Sequence, residues 1–227
     1  NRSWITSSFF NLKKLQLKVV KGSVCISPFL FLLFFVLTPT ITSAASCEQW
    51  VAEVVSAEGV VESRRTGETQ WQQVGLGETF CAGDMIRVLE NSRADLAFAN
   101  QPLLRLDQNS AITLGEIKTE SSGLTGILKG AASLDLIKGV AHFFSRLPRN
   151  LEVRTGFVNA GVEGTEFLIS VDDTKTSITV FEGKVLAANS AGSLGLTSGQ
   201  SAVTEKGKAP VLQTVVNPRD AVRWALY

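Results

Sequence analysis

The sequence predicts an all-β protein with one sandwich-like or solenoid-like domain of many short strands. Beyond Val51, apolar and polar residues alternate with a period of two, which is typical of strands with one buried face. The residues Ala94, Leu96 and Phe98 give one such run. Turn-forming clusters separate the runs at intervals of about 8–12 residues, a spacing that favours a sandwich, a barrel or a solenoid.

The strands can be placed in order from this alternation. A hairpin turn is predicted at residues 172–175, and residues 115–130, rich in glycine and serine, predict an excursion on the surface. The predicted strands lie near residues 54–60, 71–74, 85–88, 94–98, 104–106, 112–114, 134–136, 140–144, 151–155, 167–171, 178–181, 185–187, 194–196 and 199–203.

The C-terminal residues differ from the strands before them. Residues 46–210 are expected to form the β domain, and residues 211–227 a linker and the start of a helix. Asn217 can cap that helix, Pro218 suits its first position, and Asp220 complements its dipole. Because this helix begins so near the last residue of the chain, we expect further protein to follow it.

The first 45 residues resemble a secretory leader. A basic segment at residues 13–21 precedes an apolar run at residues 26–37, and small residues then suggest cleavage after Ala45. The alternative is a retained membrane anchor, but a spanning helix needs about 20 apolar residues and prolines lie close to this run on both sides. We therefore expect an exported protein of the periplasm or cell envelope of a diderm bacterium.

Charge argues against nucleic acid as a partner. The whole chain carries a formal charge of +1, but five of its 22 basic residues lie in the leader, which leaves 17 basic against 21 acidic residues, a net of −4. A domain with this net negative charge does not attract polyanions or anionic membrane surfaces. Arginines and aspartates alternate on the polar strand faces and predict cross-strand ion pairs. Trp50, Trp71 and Trp224 are expected to fill the core.

Export changes the interpretation of the cysteines. Cys25 lies in the leader, so Cys47 and Cys81 remain as an even pair in an oxidising compartment, and we expect a disulfide between them. In the chain-entropy model a bridge of this span stabilises by roughly 3–4 kcal/mol. A lipid attached to Cys47, or two free thiols, are the alternatives.

The chain offers little for catalysis, metal binding or a cofactor. His142 is the single histidine, so multi-histidine metal sites are excluded and a catalytic triad would depend on it alone; a structural role is expected. No phosphate-binding glycine motif occurs. Glutamates could supply an acid–base pair only if the fold brought Glu163, Glu166 and Glu182 together. The adjacent acids at residues 172–173 could bind calcium, but we expect them to be solvated. We expect no enzyme, no cofactor and no metal.

Two short segments carry a resemblance to a known family. Residues 162–167 and 180–185 each contain a glycine that predicts a turn between strands. Together with a Gly-Asp pair entering an earlier strand, they resemble the FecR domain, an exported all-β module, over about residues 51–203. The motif residues are Gly83, Asp84, Val162, Gly164, Thr165, Phe167, Glu182 and Gly183. The resemblance implies a partly solenoid-like periplasmic fold without catalytic residues that binds other proteins.

Two functions are compatible with that resemblance. The first is a non-catalytic periplasmic scaffold that recognises an envelope protein or peptidoglycan, of the kind found ahead of tetratricopeptide repeats. The second is a membrane-anchored signalling regulator of the iron-uptake anti-sigma type, which would require that the leader stay uncleaved.

Overall fold

The structure is a computed structural model of the chain. It describes residues 49–99, 102–120, 129–214 and 218–226. The described residues from 49 onward belong to one compact unit. The predicted leader, its cleavage site and Cys47 lie outside the described residues, so these predictions are untested. Within the described ranges, no helix is long and apolar enough to span a membrane.

The described residues form one antiparallel sheet of fourteen strands and a C-terminal 3₁₀ helix at Pro218–Leu226. The all-β prediction is therefore confirmed. The strands are β1 (Ala52–Glu58), β2 (Val61–Arg64), β3 (Gln72–Gln73), β4 (Thr79–Phe80), β5 (Met85–Val88), β6 (Arg93–Phe98), β7 (Leu103–Leu106), β8 (Ala111–Glu120), β9 (Lys129–Arg154), β10 (Asn159–Val171), β11 (Lys175–Asn189), β12 (Gly192–Thr197), β13 (Ser201–Glu205) and β14 (Val211–Gln213).

Strand β9 joins two wings of the sheet. Its first part pairs with β8, which leads on to β5, β2 and β3, and its middle pairs with β7, which leads on to β6, β1 and β4. The change of partner occurs at Gly139, where φ is +93° and a Cβ would lie 2.4 Å from the Cα of Ser110. Only glycine fits this bend, because both the dihedral and the close approach exclude a side chain.

One hydrophobic core takes residues from both wings. The core cluster includes Ile86 of the first wing and Leu134 of β9. It also includes Leu96 and Leu104 of the second wing. Burial alternates along the short strands as the sequence predicted; in β6, every second residue is buried. Each fully buried large aliphatic side chain contributes roughly 1.5–3 kcal/mol relative to exposure, so the period of two supplies most of the driving force for this fold.

Strands β10 and β11 are long and bent, and this corrects two predictions. Gly164 and Gly183, expected at turns between strands, lie opposite each other inside β10 and β11. The register shifts between Gly164 and Glu166, which marks a β-bulge, and Gly183 has φ of +105°. The glycines were correctly expected at unusual backbone positions, but a bulge bends a strand without ending it.

The prediction of a surface excursion at residues 115–130 is also partly wrong. Strand β8 continues to Glu120 and pairs with β9 again from Lys129, with residues 121–128 outside the described residues. Gly115 lies at a register shift, where a Cβ would be 2.7 Å from the backbone oxygen of Ser133. Here too the glycine permits close approach of two strands rather than a break between them.

The C-terminal segment forms a 3₁₀ helix where the sequence predicted the start of an ordinary helix, and its predicted cap, Asn217, lies outside the described residues. Part of the predicted linker, residues 211–213, pairs with β13 as β14. Val222 of the 3₁₀ helix is 2% exposed. The segment is therefore packed onto the β domain through at least this side chain.

The tryptophans do not fill the core as predicted. Trp50 is 41% exposed, and Trp71 is only half-buried, beside the guanidinium groups of Arg64 and Arg87 at 5.1 and 4.1 Å. Trp224 is also half-buried. Aliphatic and phenylalanine side chains supply the core instead, since they leave no polar N–H to satisfy there.

Cross-strand ion pairs are present, as the sequence predicted. Arg105 on β7 lies 3.3 Å from Asp95 on β6, and Arg93 lies 3.8 Å from Asp107. These partly exposed pairs contribute about 0–1 kcal/mol each.

Candidate functional site

The motif residues Gly83 and Asp84 form a structural corner before β5. Asp84 is 2% exposed and accepts hydrogen bonds at 2.9 Å from the backbone amides of Thr66 and Cys81 and from Nη1 of Arg65. Gly83 has φ of +89°, and a Cβ there would lie 2.5 Å from Oγ1 of Thr66. The pair ties the turn at Thr66 to the turn that precedes β5, which is a structural role.

The second motif packs against the core on either side of the bulge. Val162 and Phe167 are each 3% exposed, and Phe167 stacks on Phe143 with the ring centroids 4.5 Å apart. Thr165 lies in the bulge itself, between Gly164 and Glu166. The register with β11 shifts on both sides of Glu166, which lies opposite Phe144 of β9 and Glu182 of β11 and is 9% exposed.

The three glutamates considered as an acid–base pair have different surroundings. Glu163 is exposed and lies opposite Lys184, whereas Glu166 is 9% exposed and lies opposite the exposed Glu182. Glu166 already holds a strong hydrogen bond from a guanidinium, that of Arg219. The sheet thus brings Glu166 and Glu182 together by register and separates Glu163 from them by the bulge.

Glu166 is the centre of a partly buried cluster, which we call the Glu166 cluster: Glu166, His142, Phe181 and Arg219. Oε1 of Glu166 accepts from Nη1 of Arg219 at 2.6 Å and from Nε2 of His142 at 3.2 Å. The Arg219 guanidinium lies 4.7 Å from the Phe181 ring centroid, and the His142 ring meets Phe181 edge-on at 6.1 Å. Three neighbouring strands and the 3₁₀ helix each supply one member.

Burial sets the protonation of His142. Its side chain is 6% exposed, and burial is the main cause that lowers its pKa below the ordinary value of 6.5. The charges of Arg105 and Arg219 lower that pKa further, and Glu166 opposes them. A neutral ring that donates from Nε2 keeps Nδ1 as an acceptor, and Nδ1 is buried without a hydrogen-bond partner. The structural role expected for His142 is consistent with this burial.

An open groove crosses the outer face of β9 to β12. Glu152, Gly161, Leu186 and Gly195 are paired across these four strands, and all are exposed. The two glycines leave Leu186 standing 55% exposed between them, in a groove of about 720 Å³. Such an apolar floor with charged edges is a candidate surface for binding another protein.

The described residues hold no cluster of three or more side chains suited to a metal ion. Asp172 instead caps the predicted hairpin turn, accepting from the backbone amides of Thr174 and Lys175 at 2.8 and 3.0 Å. The hydroxyl of Thr174 is the main cause that lowers the pKa of Asp172. Its carboxylate is therefore committed to the turn.

Cys81 follows β4, and Cys47 lies outside the described residues, so their pairing stays a prediction.

Comparison with known proteins identifies the fold of the central region. Residues 84–186 match the family described as FecR protein. The resemblance to the FecR domain expected from the sequence is thereby confirmed over these residues. The match runs from the buried Asp84 to the exposed Leu186, and so includes the Glu166 bulge. No curated protein matches the chain.

Two solved structures are similar to it. Both are crystal structures of a proposed anti-sigma factor from Parabacteroides distasonis ATCC 8503, with TM-scores of 0.49 and sequence identities of 13% and 14%. Each similarity covers 62% of this chain, and it spans 63% and 64% of the other chains, slightly less than two thirds of their length.

The sequence pattern did not indicate that Arg219 of the Glu166 cluster or Leu186 of the groove belongs to a candidate site. Arg219 is 53 residues from Glu166, so no local pattern links them. Leu186 did carry a signal: it falls in phase with the exposed Lys184, and is therefore an apolar residue on the polar face of its strand.

Proposed function

We propose that this chain is the β module of a FecR-type regulator, a signalling protein of the anti-sigma type that acts by binding other proteins. The observation that carries the proposal is the FecR match over residues 84–186. That match favours signalling over an envelope scaffold, because the regulator is the member from which the family takes its description.

The chemistry of the motif residues supports a binding module rather than an enzyme. Asp84 accepts hydrogen bonds from two backbone amides, the Arg65 guanidinium and the Thr66 hydroxyl, and Glu166 is bonded to Arg219 and His142. Neither carboxylate is presented to solvent as a general acid or base would have to be. The exposed Leu186 groove offers apolar area for a protein partner.

The proposal includes export. A leader in the first 45 residues would carry the module into the periplasm of a diderm bacterium, and there Cys47 and Cys81 would form their disulfide. In this arrangement the β module receives the signal outside the cytoplasmic membrane. The scaffold alternative, which binds an envelope protein or peptidoglycan, requires the same export. It differs in the partner and in the leader, which the regulator keeps uncleaved as a membrane anchor.

Affinity capture separates the two functions. The full chain, and the full chain with Leu186→Asp, are used to capture proteins from envelope extract, with and without depletion of glycan. Val211→Asp is the matched control, because Val211 is 56% exposed on β14, outside the groove.

We expect the wild-type chain and Val211→Asp to recover an outer-membrane transporter or a sigma-regulatory protein, and Leu186→Asp to recover less. Enrichment of wall-associated proteins that disappears on glycan depletion would instead identify a scaffold and contradict the regulator. Equal capture by all three variants would place the partner surface outside the groove.

A further inference from the structure

We propose that Glu166, His142 and Phe181 form a binding site for an arginine side chain, which Arg219 occupies within the chain and which an arginine of the partner protein takes over during binding. This inference rests on the proposed function, since it names the contact through which the module would bind a protein. It goes beyond that function by assigning a site and the chemistry of its ligand.

The site is built on the sheet. His142, Glu166 and Phe181 lie on the adjacent strands β9, β10 and β11, and β10 pairs with both neighbours on either side of the bulge at Glu166. Their positions therefore do not depend on the 3₁₀ helix that supplies Arg219. A buried carboxylate beside an aromatic face is a combination that recognises a guanidinium, which can donate a hydrogen bond and stack at the same time.

The occupant, in contrast, is loosely held. The Arg219 side chain is 67% exposed, whereas that of Glu166 is 12% exposed. Arg219 belongs to a nine-residue 3₁₀ helix, a conformation with poorer hydrogen-bond geometry than an α-helix and seldom this long. Val222 is the one residue of this helix that is buried among those whose side chains are described. Trp224 of the same helix is half-buried, and exchange of the arginine requires that this helix detach from the sheet.

Removal of Arg219 would leave a charge without a partner. Glu166, which is 9% exposed with Arg219 in place, would keep the hydrogen bond from His142. A buried carboxylate that loses its cation is unfavourable, so the empty site favours any guanidinium that replaces the lost one. A lysine fits less well, because its ammonium is a point charge that cannot bond Glu166 and lie flat on Phe181 together.

His142 provides a specific readout, because it is the single histidine of the chain. The groups that act on its charge are Glu166 on β10, Arg105 on β7 and Arg219 on the 3₁₀ helix, besides burial itself. Loss of the Arg219 charge alone raises the pKa of His142, and return of a guanidinium lowers it again. The imidazole proton resonances in an NMR titration report both events without ambiguity.

The experiment compares the full chain with its Arg219→Ala and Arg223→Ala variants. Arg223 is an exposed arginine of the same 3₁₀ helix and serves as the matched control. We expect Arg219→Ala to raise the pKa of His142 and N-acetylarginine amide to restore it, while N-acetyllysine amide does not. In the Arg223→Ala variant, the pKa of His142 should be the same as in the wild type. A His142 titration unchanged by Arg219→Ala would overturn the proposal.

A second arm tests exchange with a peptide. A synthetic peptide of residues 218–226 is added to the Arg219→Ala/Val222→Asp variant, in which the chain's own helix is weakened, and to the wild type. Because a tethered segment acts at an effective concentration of about millimolar, we expect binding to the variant to be at least tenfold tighter. The same peptide carrying Arg219→Gln should bind about tenfold more weakly.

Equal binding of the two peptides would overturn the proposal, because the site would then not recognise the guanidinium. Amide spectra confirm that each variant is folded. Since this experiment uses only the chain and synthetic ligands, its failure would leave the capture experiment, and with it the proposed function, intact.

Discussion

Replacement of Asp84 by alanine should remove the hydrogen bonds that hold the corner before β5. The Asp84 carboxylate accepts 2.9 Å hydrogen bonds from two backbone amides, those of Thr66 and Cys81, and from the Arg65 guanidinium. Each amide left without a partner costs about 1.5 kcal/mol, toward the lower end of the range for buried donors because the turns are partly exposed. The amides together therefore account for about 3 kcal/mol.

The lost contact between Arg65 and Asp84 contributes less to the free energy of unfolding. Arg65 is 25% exposed and keeps a 2.7 Å ion pair with Glu78, so its loss of Asp84 contributes about 0.5 kcal/mol. The free energy of unfolding of Asp84→Ala should thus fall by about 3–4 kcal/mol, in agreement with the usual effect of breaking a buried pair. Asp84→Asn keeps one acceptor oxygen but presents an NH₂ to the other donors, and should lose about 2 kcal/mol.

The assay is urea unfolding of the non-reduced full chain, followed by tryptophan fluorescence. The midpoint should fall while the denaturant slope stays constant, which identifies a change in stability. Asp173→Ala is the control, because Asp173 is exposed and no hydrogen bond of its side chain is described; its effect should be within 0.5 kcal/mol or so. A loss below about 1 kcal/mol for Asp84→Ala would refute this account of the corner.

Three further predictions concern the bend, the buried histidine and the cysteines. Gly139→Ala should destabilise the protein by about 2–4 kcal/mol, because φ is +93° and the new Cβ would meet backbone at 2.4 Å, whereas Gly195→Ala, with nothing within 4 Å, should be nearly neutral in urea unfolding. Burial lowers the folded-state pKa of His142, so the folded protein binds fewer protons than the unfolded chain. The free energy of unfolding should therefore fall as the pH drops below 6.5 toward the folded pKa, and parallel pH profiles for wild type and His142→Gln would contradict this. For the predicted disulfide, we expect mass spectrometry to show Cys47 and Cys81 alkylated only after reduction; labelling of both in native protein would exclude the bridge.

The positions of most strands could be predicted from the sequence. Alternation places Ala94, Leu96 and Phe98 on the buried face of β6, as observed. The alternation depends on each residue's immediate neighbours and on the preference of apolar side chains for the interior, both of which are local properties.

The glycines show the limit of that approach. Gly164 and Gly183 were expected at turns and instead face each other across a bulge in two long strands. A glycine indicates an unusual dihedral angle or a close approach, but a turn and a bulge use the same permissive residue. The partner strand decides between them, and the partner is not a local property.

The candidate site shows the same limit at longer range. From the sequence, Glu166 was one of three glutamates considered for an acid–base pair, and His142 was expected to be structural. Nothing in the sequence connected either residue to Arg219 or Phe181. Their contacts depend on the pairing of β9, β10 and β11 and on the path of the chain after β14.

The all-β class, the buried face of strands such as β6 and the resemblance of the central region to the FecR domain could be predicted from the sequence, because period-two alternation and motif spacing are properties of consecutive residues. The branching of the sheet at Gly139, the bulge beside Glu166 and the contact of Arg219 with Glu166 are visible in the folded structure and not in the sequence. These features arise from contacts between distant segments, where register, close backbone approach and the need to pair a buried charge act together.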